Sequence, residues 1–323
     1  MKQPRHHHYL SQCYLKGFTN DGTAEGQLFV IKVEDGGTFR TTPRNVAGIR
    51  DFNAVEGQPT GQLENELSKL EGMVAPALDR IIHAQSIADA GDWVAFLNLV
   101  ALFAVHNPRD RNTAGEYVSE LLDMVLQVAL ASPERWATQI KNMRESGAIE
   151  DDFEFPSYNE MKTARKNNEV KLKLTRGFHN WLELGSHKKV LDTMHLRKWS
   201  LFITKENTGT FITVDHPVCL VNSDLSPPTV MLPVGHGVDG TCLIIPISKY
   251  LLAIGVFNGN SKIVHARKVL VGRLNSVVAS FAQNQVYAAN PGFPFWLGRD
   301  TMADSEVLAA HFASNKTEMS SDD

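Results

Sequence analysis

The sequence predicts an α+β fold, with helices and a mainly antiparallel sheet in a single domain that has a long central helical section. Three observations support this class. Strand-like segments occur near the start, helix-periodic segments fill about 62–191, and strand-like segments return over about 199–258. Neither internal repeats nor a low-complexity linker interrupts this order, so residues 1–313 are expected to form one domain. Residues 314–323 are polar and are expected to form a disordered tail.

The early strands are predicted as a hairpin. The apolar, β-branched residues 27–33 form the first strand, Gly36 and Gly37 form the turn, and residues 38–42 form the second strand. Residues 43–52 are expected to be a loop or a short helix.

The helical section begins near Gln62. Apolar residues recur at three- and four-residue steps over 62–82, and a second helix over 93–105 is apolar nearly all round, which predicts a place in the core. Asn107 and Pro108 end or kink this helix. Further helices are predicted at about 113–130, from Pro133 onward, within 157–191 and over 268–286.

The last third of the chain is predicted to be rich in strands. Residues 199–204 and 210–214 are expected to pair as a second hairpin around the turn at Gly209. Two more strands are predicted at 241–246 and 250–256.

Composition is typical of an ordinary globular protein. Of 323 residues, 43% are hydrophobic and the net charge is −4, so no global charge imbalance indicates nucleic acid or a membrane surface. Cys13, Cys219 and Cys242 are odd in number and widely spaced, which indicates reduced thiols rather than a disulfide framework or a zinc ribbon. With no signal-peptide pattern and no apolar run of the length that spans a bilayer, a cytoplasmic location is expected.

One stretch is strongly basic. Residues 162–198 contain ten Lys or Arg against three acids in a chain of net charge −4. Such a stretch is either a nucleic-acid contact or an ordinary solvated helix face.

The first candidate site is the run His6-His7-His8. It continues directly into an apolar-periodic segment with helical spacing, so it is interpreted as native sequence rather than an expression tag. Imidazole is a common metal ligand and titrates near neutral pH. His7 and His8 are therefore candidate catalytic residues, and His8 is a candidate metal ligand. The alternative is a solvated histidine cluster or a helix-capping element.

The second candidate is Asp215, which ends a predicted strand and is followed by His216 and Pro217. The proline forces the chain out of the sheet and would present the carboxylate rigidly, as a catalytic group or a metal ligand. The alternative is an Asx turn in which Asp215 caps its own backbone.

Two further candidates lie in the helical section. Arg109 and Arg111 stand beside a helix start and could hold a phosphate, although an ion pair with Asp110 or Glu116 is equally plausible. Glu64 and Glu71 are seven residues apart on one helix face and could bind a divalent ion, although acids on a helix face are usually only solvated.

Established catalytic motifs are missing from the sequence. There is no HExxH, no Walker A loop, no GxSxG elbow and no GxGxxG after a strand. The sequence therefore does not predict a zincin, a P-loop nucleotidase, an α/β-hydrolase or a dinucleotide-binding enzyme.

Several segments occur in an order that resembles a known family. The most specific are His7-His8-Tyr9 with Gln12, Leu15 and Phe18, and Asp215-His216-Pro217-Val218; the others are Glu71, Pro108-Arg109, Pro246-Ile247-Ser248 and Asn275. In these the chain resembles an uncharacterised, mainly bacterial family, domain of unknown function 4238. Ser11 and Val214 replace the family's Pro and Ser, and the Arg/Pro element is rearranged. The resemblance implies a shared site in which Gln12 and Asn275 contact substrate, and it names no reaction.

Two functions are compatible with these residues. The first is a hydrolase acting on nucleic acid or another phosphoester, with His7, His8, Asp215 and Arg109 as catalytic groups and Arg111 among the substrate contacts. A divalent metal ion would be held by His8, Glu71 and Asp215, and the 162–198 stretch would contact nucleic acid; by analogy, a bacterial defence role is also expected. The alternative is a non-enzymatic binding or effector module in which the histidines and Asp215 form a structural clasp.

Overall fold

The structure, a computed structural model, describes residues 6–53, 62–150, 152–170, 174–226, 234–298 and 301–319. It confirms the α+β class. The helices are α1 (Gln12–Leu15), α2 (Gln62–Ala84), α3 (Ala90–Val105), α4 (Pro108–Ala129), α5 (Pro133–Glu145), α6 (Tyr158–Lys166), α7 (Arg176–His195), α8 (Lys268–Ala279) and α9 (Ser305–Met319), with 3-10 turns at Lys16–Phe18, Pro43–Asn45 and Glu206–Thr208. The strands are β1 (His6–His8), β2 (Leu28–Lys32), β3 (Thr38–Thr41), β4 (Gly48–Arg50), β5 (Lys198–Ile203), β6 (Thr213–Val214), β7 (Cys219–Asn222), β8 (Thr241–Ser248), β9 (Leu251–Val256), β10 (Ile263–His265), β11 (Gln285–Ala288), β12 (Phe295–Leu297) and β13 (Thr301–Ala303).

Two larger sheets organise the strands. The five-stranded sheet has the order β10-β5-β9-β8-β7, in which β10 is parallel to β5 and the other neighbours are antiparallel. The four-stranded sheet has the order β3-β2-β11-β6 and is antiparallel throughout. Strands β1 and β4 form a separate antiparallel pair, as do β12 and β13.

The central strand β8 shows why the five-stranded sheet lies inside the protein. All of its residues are buried, and alternate side chains enter two different cores. Leu243 and Ile245 pack in the core that contains α1, α2 and α3, whereas Cys242 and Ile244 pack in the core that contains α8 and the four-stranded sheet. A third, smaller cluster around Trp136 joins α4, α5 and α6.

The first helix is anchored by residues from the far end of the sequence. Tyr14 is fully buried; its hydroxyl lies 2.8 Å from Oγ1 of Thr213 and donates to the carbonyl of Pro246 at 2.9 Å. The backbone N–H of Lys249 donates to the carbonyl of Gly17 at 2.9 Å. These bonds fix the opening residues against the five-stranded sheet.

The second predicted hairpin is wrong. Strand β5 pairs with β9 and β10 instead of with β6, and β6 pairs with β11 in the other sheet. After the 3-10 turn, Gly209 adopts a φ of +97° and Asn275 binds the backbone of Thr210 and Ile212, so the chain is led away from β5.

Two other boundaries differ from expectation. The predicted helix over 268–286 ends at Ala279, because its last residues are taken into β11. The predicted disordered tail began at Ser314, but α9 continues to Met319. Leu308, Ala309 and Phe312 of α9 pack on the core beside β2. Residues 320–323 lie outside the described residues.

The basic stretch spans α6, α7 and the start of β5, and its residues 171–173 lie outside the described residues. Part of its charge is engaged within the chain. Arg165 pairs with Asp123 at 2.9 Å, and the buried Arg197 donates to the carbonyls of Thr241 and His236. Of the helices that the structure describes, none combines the length and apolarity needed to cross a membrane.

Candidate functional site

The opening histidines lie on a strand, not on the helical turn that the sequence suggested. Nδ1 of His7 accepts the backbone N–H of Asn53 at 2.9 Å. Nδ1 of His8 lies 3.0 Å from the carbonyl of Val46 and donates to it, which leaves Nε2 of the neutral ring as an acceptor. The side-chain amide nitrogen of Gln12 lies 3.4 Å from this Nε2. Strand β1 therefore gives the His8 ring a defined orientation and tautomer.

His8 and Gln12 line a cavity of about 170 Å³ between the opening segment, α2 and α3. The polar members of its lining come from all three elements, and its apolar floor comes from α2 and α3. They are His8, Tyr9, Ser11, Gln12, Glu64, Ser68, Glu71 and His106, with Leu67, Leu99, Leu102 and Phe103. We call this cavity the histidine–glutamate pocket.

Two carboxyl groups share this pocket. Glu64 and Glu71 lie on one face of α2, as their spacing predicted, and Glu64 accepts from the side chain of Asn53 at 2.7 Å. Burial and the neighbouring Glu64 charge raise the pKa of Glu71 to about 7. Glu71 is thus divided between acid and carboxylate at neutral pH, which suits a group that gives and takes protons.

A buried relay supports the other histidine of the pocket. His106 follows the end of α3, and its Nδ1 lies 2.5 Å from Oε2 of Glu183 on α7. Arg111 of α4 donates to both carboxylate oxygens of Glu183, at 2.7 and 2.9 Å. Burial of Glu183 opposes its ionisation, but the bonds from His106 and Arg111 outweigh burial and lower its pKa. Glu183 is therefore a carboxylate, and it holds the proton of His106 on Nδ1.

The second nitrogen of His106 is the unusual atom of the site. Within the part of the chain that the structure describes, Nε2 of this 4%-exposed residue is buried and has no hydrogen-bond partner. A buried polar atom without a partner is costly, so such an atom requires an explanation, and a role in chemistry is one. Because Nδ1 donates to Glu183, Nε2 is the ring nitrogen that can accept a proton or a hydrogen bond.

Phe52 joins the pocket to the relay. Its ring lies edge-on to His106 at 5.1 Å between centroids, the guanidinium of Arg111 lies 3.8 Å above it, and its carbonyl accepts from Arg111 at 2.8 Å. The next residue, Asn53, binds His7 and Glu64. The short segment after β4 thus connects the opening histidines to α4 and α7.

Asp215 lies near Tyr9, and Arg109 lies near His216, the residue that follows Asp215. Asp215 is buried; its Oδ1 accepts the N–H of Gln283, and its Oδ2 accepts the N–H and side-chain amide of Asn284 at 2.8 Å each. Its charge, together with burial, raises the pKa of the Tyr9 hydroxyl. The structure thus brings Tyr9 near Asp215, while the carboxylate oxygens themselves bind the turn before β11.

Arg109 stacks over the ring of Phe281 at 5.1 Å, beside His216. Burial, aided by the charges of Arg109 and then His236, lowers the pKa of His216 to about 3. Arg109 thus lies near His216, whereas the predicted convergence of His7, His8, Asp215 and Arg109 on one cleft stays a prediction. Neither Arg109 nor Asp215 is in the lining of the histidine–glutamate pocket.

The two remaining predicted substrate contacts are engaged within the fold. The fully buried amide of Asn275 donates to the carbonyls of Thr210 and Pro294 and accepts the N–H of Ile212. Arg111 binds Glu183, the carbonyl of Phe52 and the side chain of Asn180. Both residues hold chain segments together instead of lining the pocket.

The predicted metal set is not assembled. In the described ranges, no three His, Cys, Asp or Glu side chains are grouped so that they could hold a metal ion. His8 and Glu71 line the pocket, but Asp215 is bound to Gln283 and Asn284 instead.

Sequence reasoning missed His106 and Glu183 as site residues. His106 lies two residues before Pro108, in a segment from which only the arginines were chosen as candidates. Glu183 is separated from His106 by 77 positions and lies in the basic stretch, where a lone acid has the pattern of a solvated helix face. The only available signal was a histidine at the end of an apolar helix.

The pKa of Glu71 predicts a pH-dependent stability. The folded pKa of about 7 lies above the unfolded value of 4.5, so the folded chain holds this proton more tightly and the free energy of unfolding should fall as pH rises from 4.5 to 7. Glu71→Gln removes this titration. The unfolding free energy of the variant minus that of the wild type should therefore be more positive at pH 8 than at pH 5. The expected change is about 1–2 kcal/mol, after allowance for the partial exposure of the side chain.

Urea denaturation of both proteins at the two pH values measures this difference. Glu66→Gln, at an exposed glutamate of the same helix, is the matched control. Identical pH dependence in wild type and Glu71→Gln would contradict the raised pKa.

Comparison with known proteins gives one match. A family described as "Protein of unknown function (DUF4238)" matches residues 6–292. This span contains all the residues of the histidine–glutamate pocket and the relay, while α9 lies beyond it. No curated protein and no solved structure matches the chain.

Proposed function

This chain belongs to the DUF4238 family of proteins of unknown function, and we propose that it is a hydrolase whose acid–base groups line the histidine–glutamate pocket. The observation that carries the proposal is the His106 ring. Its Nδ1 proton is held by Glu183, its Nε2 has no hydrogen-bond partner among the described residues, and the residue lines a pocket that also contains Glu71. A histidine oriented by a carboxylate through Nδ1 is a common arrangement for a general base.

The proposed roles follow from the protonation states. Nε2 of His106 accepts a proton from a water molecule in the pocket, and the oxygen of that water forms the new bond to the substrate. Glu71, in its protonated form, gives a proton to the leaving oxygen. The Nε2 of His8 and the amide of Gln12 position the water or the substrate.

We propose a phosphoester as the substrate class, with nucleic acid among the members. The support is the basic stretch on α6 and α7, since α7 also carries Glu183 of the relay. A cavity of about 170 Å³ has room for a phosphate-sized group and water rather than for a whole nucleotide. Because ionised Glu71 beside Glu64 would repel a phosphate, activity is expected to fall as Glu71 loses its proton above about pH 7.

Phosphodiesterase assays test the proposal. The wild type is assayed on bis(p-nitrophenyl) phosphate and on single-stranded RNA and DNA, in EDTA and with added Mg²⁺ or Mn²⁺. His106→Gln and Glu71→Gln should each lower kcat by about 10²–10⁴-fold, the usual contribution of a general acid or base. His195→Gln, at an exposed histidine of α7, should leave kcat unchanged.

The outcomes of these assays test the substrate class and the location of the active site separately. A wild type that is inactive on all these substrates under every metal condition would rule out the phosphoester assignment. Activity that survives both pocket substitutions in well-folded protein would mean that the chemistry occurs elsewhere.

A second candidate is a binding or effector module without catalysis. It is favoured by the hydrogen bonds that Asp215 accepts from the turn before β11 and by the hydrogen bond between His7 and the backbone of Asn53. Asp215 and His7 each join two segments of the chain through these bonds. For this candidate His106→Gln should leave any hydrolytic activity of the preparation unchanged in protein that remains folded.

A further inference from the structure

The outward face of α4 carries an apolar stripe. Tyr117, Leu121, Met124 and Val128 follow one another at steps of four, three and four residues, which places them in one line along the helix. All four are exposed, from 39% for Leu121 to 62% for Tyr117. We call this line the α4 stripe. A contiguous row of large exposed apolar side chains is uncommon on a monomer and indicates an interaction site.

The stripe is not the face with which α4 joins the fold. That role falls to the opposite side of the helix: Arg111 binds Glu183, Gly115 abuts the ring of His179, and Leu126 packs in the cluster around Trp136. The packing of α4 on α5, α6 and α7 is thus complete without the stripe, which remains available to a partner.

A notch beside the stripe has room for a large side chain. It has a volume of about 440 Å³ and lies between the second half of α4 and the start of α5. Its lining includes Met124 and Val128 of the stripe, Val125, and Arg135 of α5. A line of apolar knobs with an adjacent hole is the geometry that receives an amphipathic helix.

Two unpaired glutamates lie beside the first half of the stripe, among the described residues. Glu116 and Glu120 each precede a stripe residue by one position, so both lie on the same flank of the helix, and both are exposed. Neither forms an ion pair with any residue that the structure describes. An acidic flank disfavours anionic lipid, and two copies paired antiparallel through the stripe would place these flanks against each other.

We infer that the α4 stripe and its notch are the docking site for a basic amphipathic helix of a partner protein. The apolar residues of that helix, at three- and four-residue steps, cover the stripe, and one of them fills the notch. Its Lys or Arg residues lie along Glu116 and Glu120. This inference is independent of any catalysis in the histidine–glutamate pocket.

A binding titration with the full chain tests the inference. The probe is a fluorescein-labelled synthetic helix of about 20 residues, with Leu at three- and four-residue steps and Lys on its flanks. Fluorescence anisotropy should give saturable binding with a Kd on the order of 10 μM. Met124→Gln combined with Val128→Gln should weaken binding at least about tenfold. Glu116→Gln combined with Glu120→Gln should weaken it about threefold and reduce its salt dependence.

The controls test whether peptide binding depends on the α4 stripe and on the charge of the peptide. Leu184→Gln, at an exposed leucine of α7, should leave the Kd unchanged, and a peptide with Glu in place of Lys should bind at least about tenfold more weakly. Binding that the α4 substitutions do not weaken would overturn the proposal. So would a dimer of the chain in sedimentation that the Met124/Val128 variant dissociates, since a second copy would then occupy the stripe.

Discussion

Glu183→Ala is expected to lower the free energy of unfolding by about 3–5 kcal/mol. Glu183 is 5% exposed and accepts hydrogen bonds from His106 and from two nitrogens of Arg111. Its loss leaves the guanidinium of Arg111 buried beside His106 without the carboxylate that balances its charge. Removal of one partner from a buried ion pair is costly because the remaining charge stays desolvated.

Urea denaturation of the wild type and two variants measures this cost. Asp192→Ala is the matched control, because Asp192 lies on the same helix and pairs with Lys188 at 2.7 Å, but at the exposed surface. It should change stability by less than about 1 kcal/mol. Glu183→Gln keeps the side-chain volume, so a loss close to that of the alanine variant would assign the effect to charge. A Glu183→Ala loss no larger than that of Asp192→Ala would show that the relay does not stabilise the fold.

Asp215→Ala is the second substitution with a large expected effect, a loss of about 2–4 kcal/mol. Its carboxylate accepts two backbone N–H groups and one side-chain amide from Gln283 and Asn284. These bonds hold the turn that starts β11. Without Asp215, the donor groups are left without their acceptors beside a buried strand pair.

Asp224→Ala supplies the comparison for this position. Asp224 also accepts a backbone N–H, from Ser226 at 2.9 Å, but it is exposed. Its substitution should cost less than about 1 kcal/mol, because water replaces the lost acceptor. Equal losses of unfolding free energy at the two positions would mean that the buried bonds of Asp215 stabilise the fold no more than an exposed bond does.

The parts of the fold that were predictable follow local patterns. The helix over 62–84 and the strands of the first hairpin have apolar residues at the period of their own secondary structure, and the pattern therefore located them. The pairing of β5 was not predictable in this way. Residues 199–204 and 210–214 both have strand character and a turn between them, yet β5 receives its partners from residues 251–256 and 263–265. Which strands pair is determined by tertiary packing that no local pattern contains.

The candidate site likewise contains residues that were predictable from the sequence and residues that were not. His8, Gln12 and Glu71 were predictable, because the family resemblance or the helix spacing singled them out. The relay was not, because Arg111, Glu183 and His106 come from α4, α7 and the end of α3 and meet only in the folded chain. Asn275 illustrates the opposite error. A polar residue on a late helix was interpreted as a substrate contact, whereas its amide joins three backbone groups.

The anchoring of the first helix has a consequence for synthesis on the ribosome. Tyr14 leaves the exit tunnel early, but its hydrogen-bond partners Thr213 and Pro246 follow 199 and 232 positions later. At about 5–20 residues per second, Tyr14 therefore waits on the order of tens of seconds before these two partners exist. Until Pro246 has been synthesised, the first helix therefore lacks these two bonds, and its apolar side chains are an aggregation-prone segment of the nascent chain.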